Sequence, residues 1–145
     1  MLKSIIRRKR MRNSREDYLE MMLNLKRENG FIRSVDIASG LGITRASVSY
    51  SVKKLRESGL ITMSGDGMIE FTPEGQEIAE RTMYRHEMLT SILMSMGVSE
   101  DTACDDACAM EHILSEESFD ALMRFANTQS LPVHHHDFKK HIHHE

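Results

Sequence analysis

The chain has 145 residues, 40% hydrophobic and 28% charged, with no Trp, two Pro and twelve Met, a composition ordinary for a soluble, helix-rich globular protein of one domain or two subdomains. No apolar run approaches the length of a membrane span, the N-terminus lacks the apolar stretch of a secretory signal, and two cysteines four residues apart make no disulfide framework, so a reducing cytoplasm is expected. The net charge of −3 conceals an asymmetry: residues 1–60 carry 14 Lys/Arg against 6 Asp/Glu, and residues 61–145 carry 5 against 16, which points to a half that faces nucleic acid and an acidic half with another task.

In chain order, residues 1–13 form a basic arm that includes Arg7, Arg8 and Arg10. Ser14 is placed as the N-cap of a first helix, with Asp17 at the acidic capping-box position, and Tyr18, Leu19, Met22, Leu23 and Leu25 give it an apolar face that ends at Asn29-Gly30. Ser34 is expected to cap a short helix whose apolar face is Val35, Ile37, Ala38 and Leu41. Gly42 makes the turn, and Thr44 caps a second helix that buries Val48, Val52 and Leu55 and stops at Gly59. Two helices around a tight turn, the second exposing Arg45, Ser47, Ser49, Tyr50, Lys53 and Lys54, form a helix-turn-helix pattern. The alternation around Gly65-Asp66-Gly67 adds a hairpin, which makes the unit a winged helix.

Pro73 lies in the first turn of a long helix whose stripe (Ile78, Ala79, Met83, Met88, Leu89, Ile92, Leu93, Met96) broadens toward its end, as helix packing and a dimer require. Ser99 caps the next helix and Ser115 with Ser118 begins the last; the final twelve residues hold six His without apolar period and read as a disordered tail. The expected architecture is mainly α: a winged helix-turn-helix DNA-binding domain over 14–72, a helical metal-binding and dimerisation domain over 73–130, and a His-rich tail over 131–145.

Cys108, Glu111 and His112, at i, i+3 and i+4, fall on one helix face, and Cys104 lies one turn earlier on the same face. A thiolate, a carboxylate and an imidazole so spaced supply three metal ligands, although the same spacing also suits an inward-packed Cys with Glu111 and His112 in solvent. Asp17 and Glu20 share a face of the first helix, and His86 interrupts an apolar one. Each has an ordinary alternative role, as a helix-terminal charge, a surface acid and an interior imidazole.

In order, "EDYLE" (16–20), the winged helix, "YRHEML" (84–89) and "ACAMEHILS" (107–115) resemble the diphtheria-toxin-repressor/manganese-transport-regulator family of metal-dependent transcriptional repressors, over roughly residues 14–128. The resemblance implies a short form without the SH3-like domain of longer members. It places Asp17, Glu20, His86, Glu111 and His112 on ligand positions of manganese-type members, and Cys108 where those carry glutamate and iron-type members cysteine. Cys104 stands where iron-type members have a histidine of an ancillary site and Thr90 where they have a glutamate, so Cys104 is left open between ancillary ligand and core thiol.

The function so implied is a homodimeric repressor of iron or manganese uptake genes that binds double-stranded operator DNA when loaded with Fe(II), the first choice, or Mn(II), the second; Zn(II) or Co(II) are expected to occupy the site in vitro. Thr44, Arg45, Ser47 and Tyr50 are the candidates for base edges, Ser49, Lys53 and Lys54 for phosphates, and Arg7, Arg8 and Arg10 for the DNA backbone or minor groove. Packing within the domain is the alternative for Tyr50. Two other readings remain at this level: a winged-helix regulator of another signal, with structural Zn(II) or no metal, and a metal-handling protein with the His-rich tail as carrier. An enzyme is not expected, because the chain has no His-Glu-x-x-His motif and no Gly-rich phosphate loop.

Overall fold

The computed structural model describes residues 15–130. The basic arm with Arg7, Arg8 and Arg10, the proposed Ser14 cap and the His-rich segment 131–145 lie outside the described residues. The chain separates into two compact units, 1–81 and 82–145, the division falling inside one long helix.

In the first unit, α1 (Arg15–Asn29) buries Tyr18, Leu19, Met22, Leu23 and Leu25, the face its periodicity sets, and ends where the Gly30 N–H returns to the Lys26 carbonyl at 2.9 Å. A two-residue strand, β1 (Ile32–Arg33), follows and leads into α2 (Ser34–Leu41). The expected Ser34 cap is corrected here: Ser34 is the first helical residue, and the cap position belongs to Arg33, extended at φ −127 and ψ 149 with no side-chain cap bond, because its backbone is committed to the sheet. Val35 was also expected on the buried face but is 44% exposed; Ile37 and Ala38 carry the burial. The turn uses Gly42 at φ 63, where a side chain would be strained. In α3 (Arg45–Glu57) the Thr44 hydroxyl accepts from the Ser47 N–H at 3.2 Å, and Val48, Val52 and Leu55 point inward. Each buried aliphatic side chain of this kind contributes about 1.5–3 kcal/mol.

The wing consists of β2 (Ile61–Met63) and β3 (Met68–Phe71), antiparallel with Ile61 opposite Phe71 and Met63 opposite Ile69. β1 adds to the other side of β3, for a strand order of β1-β3-β2. At the tip, the Asp66 carboxylate accepts from the Ser64 hydroxyl and from the Met68 N–H, and these bonds hold its carboxyl below the ordinary value.

The long helix α4 (Pro73–Ser95) is capped by Thr72, whose hydroxyl accepts from the Gly75 N–H at 3.2 Å and donates to the Gly59 carbonyl at 2.7 Å. A Cβ on Gly75 would stand 1.8 Å from the Leu60 carbonyl oxygen, so only glycine lets the helix start this close to the segment that joins α3 to the wing.

The second unit holds the remainder of α4, then α5 (Glu100–Ile113) and α6 (Glu116–Thr128). Met88, Leu89, Ala107 and Phe119 form its core, with Leu93, Met110, Leu114, Leu122 and Met123 packed around them. Met96, expected in the apolar stripe, lies past the end of α4 and is 63% exposed. Ser99 occupies the cap position of α5, yet its hydroxyl pairs with the Thr102 hydroxyl at 3.1 Å and makes no cap bond to backbone. Ser115 does cap α6, accepting from the Ser118 N–H at 3.2 Å. Among the described residues the fold is therefore six helices and one small sheet, and no helix is long and apolar enough to cross a membrane.

Candidate metal centre

On α5 the i, i+3, i+4 spacing brings the ligand atoms of Cys108, Glu111 and His112 within 4.8 Å of one another. Glu111 is buried, and Cys108 and His112 are half-buried. α4 supplies His86, 3% exposed, whose Nδ1 is 3.3 Å from Glu111 Oε2; on the other side His112 Nε2 is 3.5 Å from Glu111 Oε1. One buried carboxylate thus lies between two imidazoles with a sulfur alongside. A buried carboxylate is costly unless a cation or protonated partner offsets it. Nitrogen, oxygen and sulfur donors converging in this way suit a divalent ion of borderline softness.

Asp17 and Glu20 lie one turn apart on α1 in the first unit, both only 7% exposed. Charged carboxylates are rarely buried without an electrostatic reason. For Glu20 this departs from the surface acid that sequence alone allows.

Cys104 stands apart. It belongs to no group of His, Cys, Asp and Glu that the described residues bring within ligating distance. Burial pushes its thiol up to about 11; the Thr90 hydroxyl beside it acts the other way, and Glu100, Asp105 and Asp101 add to the rise. A sulfur held in its neutral form is a poor ligand, since metals bind the thiolate.

The second helix of the helix-turn-helix presents its polar residues to solvent. Arg45, Ser47, Ser49, Tyr50, Lys53 and Lys54 are all exposed. Tyr50 is 63% exposed with the Lys54 ammonium 5.3 Å from its ring centre, so it does not pack within the domain. Lys53 is 3.9 Å from Glu57, and the Thr44 and Ser47 hydroxyls are bonded to each other at 2.9 Å. Ala46, which the polar pattern passes over, is exposed between Arg45 and Ser47; only its helical angle, opposite Val48 and Val52, marks it as outward.

Two family models match this chain. "Iron dependent repressor, N-terminal DNA binding domain" covers residues 10–68, and "Iron dependent repressor, metal binding and dimerisation domain" covers residues 72–137. The transcriptional regulator MntR of Escherichia coli O6:H1 is 38% identical over 110 residues, 76% of this chain and 71% of that protein. The HTH-type transcriptional regulator MntR of Bacillus pumilus is 40% identical over 110 residues, 75% of this chain and 76% of that one. Among solved structures, the manganese regulator SloR superposes with a TM-score of 0.70 at 27% identity; the match covers 79% of this chain and 54% of SloR, so the chain spans about half the length of that protein.

Proposed function

This chain belongs to the iron-dependent repressor family of metal-dependent transcriptional regulators, and from that premise we propose a homodimeric, cytoplasmic repressor of iron or manganese uptake genes that grips operator DNA when it holds a divalent ion. Residues 14–72 read DNA and residues 73–130 bind metal and dimerise. The observation that carries the reading is the Glu111 carboxylate buried between His86 and His112 with Cys108 beside it, in the same chain as an exposed recognition helix.

Asp17, Glu20, His86, Cys108, Glu111 and His112 would hold the ion, which supplies positive charge to a set of donors that is otherwise rich in negative charge. Ligands that carry negative charge repel one another when no cation offsets them, so sharing one ion among these residues would couple metal loading to the placement of α1. α1 is also the helix against which α2 and α3 pack, so whatever fixes α1 fixes the recognition helix. A dimer must present two such helices about 34 Å apart, or a multiple of that, and a bias of about 1–3 kcal/mol between two arrangements makes a useful switch. At the DNA, Arg45, Ser47, Tyr50 and Thr44 face base edges, while Ser49, Lys53 and Lys54 meet phosphates. Cys104 serves as a core thiol.

The relatives named as manganese regulators support Mn(II). The Cys108 sulfur pulls the other way, so we assign both Mn(II) and Fe(II) as activators, with Fe(II) favoured more strongly than it would be by a carboxylate at that position. A winged-helix regulator without metal gives the convergence of Cys108, Glu111 and His112 no common role, and one with structural Zn(II) would not make DNA binding follow the free ion. The experiment is operator binding by Glu111→Gln and His112→Ala: under Mn(II) that saturates the wild-type chain, both variants should bind DNA at least ~10-fold more weakly. Unchanged affinity would show that the ion does not govern DNA binding.

A further inference from the structure

Arg85 precedes His86 on α4 and belongs to no ligand set. Its Nη2 donates to the Leu114 carbonyl at 2.6 Å. Leu114 is where α5 ends: its backbone is extended at φ −73 and ψ 130, and its own N–H returns to the Met110 carbonyl at 2.9 Å. The Arg85 guanidinium also lies over the Phe119 ring of α6, 4.9 Å from the ring centre, and Tyr84 meets that ring edge-on at 6.1 Å and 76°. Arg85 Nε is enclosed and has no hydrogen-bond partner among the described residues, so the carbonyl and the aromatic face are what satisfy this side chain.

The contact falls at a sensitive level. The last carbonyls of a helix lack intrahelical partners, and the final turn frays unless something bonds to them. A cation there also complements the helix dipole. Here the cation comes from the neighbouring helix, so the same bond that quiets the end of α5 also holds α5 to α4. Arg85 adjoins His86, and Leu114 follows Glu111 by three residues and His112 by two. The level of the two helices that Arg85 locks together is therefore the level at which His86 Nδ1 meets Glu111 Oε2 at 3.3 Å.

We propose that Arg85 is a positioning residue of the metal centre: its guanidinium, clamped between the Leu114 carbonyl and the Phe119 ring, sets the spacing of α4 and α5 at which His86, Glu111 and His112 converge. This rests on the metal-centre reading above. A merely structural arginine would lower melting temperature and leave the folded protein's metal affinity intact; a positioning one changes the affinity and the ligand field of the folded protein.

The test uses Co(II) as the probe ion, bound anaerobically to the whole chain without DNA at a temperature where circular dichroism shows every variant folded. Affinity is read by chelator competition, and geometry by the visible bands and the sulfur-to-cobalt band contributed by Cys108. Arg85→Met, which keeps the stem and removes the donors, should weaken Co(II) binding by about 10–100-fold and alter the bands, the size usual for residues that orient metal ligands. Amides in the last turn of α5 should exchange faster with solvent. Arg85→Lys keeps the charge but not the planar fork placed over Phe119, and it should show a smaller loss in the same direction. Arg85→Met with wild-type affinity and spectrum overturns the proposal; if that variant does not fold, Arg85→Lys with wild-type affinity and spectrum does so. Failure of the wild-type chain to bind Co(II) at all would sink the metal-centre reading itself, a result distinguishable from loss confined to the Arg85 variants.

Discussion

Cys104 and Cys108 stand one turn apart on α5, and each belongs to a different layer of the second unit. The layer of Cys108 holds Glu111, His112 and, from α4, His86; the layer of Cys104 holds Thr90, one turn along α4 from His86, with Glu100, Asp101 and Asp105 nearby. In the first layer a buried carboxylate is set against imidazoles, an arrangement that calls for a cation. In the second, partial burial of the sulfur and the acidic side chains around it keep the proton on the thiol, against the pull of the Thr90 hydroxyl. Two identical side chains at helical spacing thus meet different surroundings: Cys108 shares ligating distance with Glu111 and His112, while Cys104 joins no such group and burial holds the proton on its sulfur.

The largest expected break in this comparison comes from removing each sulfur. Cys108→Ser should lower Mn(II) or Fe(II) affinity by on the order of 100-fold, the upper end of the ~10–100-fold typical of residues that only support a ligand. Cys104→Ser should leave it within about 3-fold. Isothermal or chelator-competition titration of the two proteins checks both, and equal losses would erase the distinction between the layers. Cys108→Glu should retain binding and move selectivity toward Mn(II) by roughly 10-fold, since exchanging thiolate for carboxylate hardens the site.

A smaller effect sharpens the comparison from the side of the proton. Because the Cys104 thiol is raised from 9.0 to about 11 in the folded chain, its contribution to stability is present in full below pH 9 and is lost as the pH rises from 9 to about 11, where the unfolded chain ionises and the folded one does not. With solvent screening at a half-buried site the loss should be about 1 kcal/mol. Chemical denaturation at pH 8 and pH 10.5 measures it, and Cys104→Ser should flatten that part of the profile. An unchanged slope in this variant would mean that Cys104 is not the group responsible.

Much of this was legible in the sequence because it depends on local periodicity. Tyr18 to Leu25 and Val48, Val52 and Leu55 repeat at helical spacing, Thr44 and Ser115 precede helices and cap them, and Gly65-Asp66-Gly67 interrupts an alternating run. The i, i+3, i+4 relation of Cys108, Glu111 and His112 likewise follows from one helix. What escaped depends on partners distant in sequence. β1 is two residues long, too short to show a period, and exists because Ile32 and Arg33 have Ile69 and Met68 to pair with. That pairing moves the start of α2 and leaves Arg33 where a capping Ser34 was expected. Val35 and Met96 are apolar at fitting positions but remain 44% and 63% exposed among the described residues. The division between Cys108 and Cys104 required knowing which donors surround each sulfur and how far Cys104 is buried. Arg85, a cation beside a candidate ligand, carried no sign in sequence of the carbonyl 29 residues away that it bonds.

In the proposed function an ion held around Glu111 governs the grip on DNA. An anaerobic titration of operator-length duplex binding with Mn(II) and with Fe(II), followed by chelator, tests this directly. Binding should appear with either ion, at lower free concentration for Fe(II), and disappear on chelation. DNA affinity that stays the same with either ion and with chelator would contradict it.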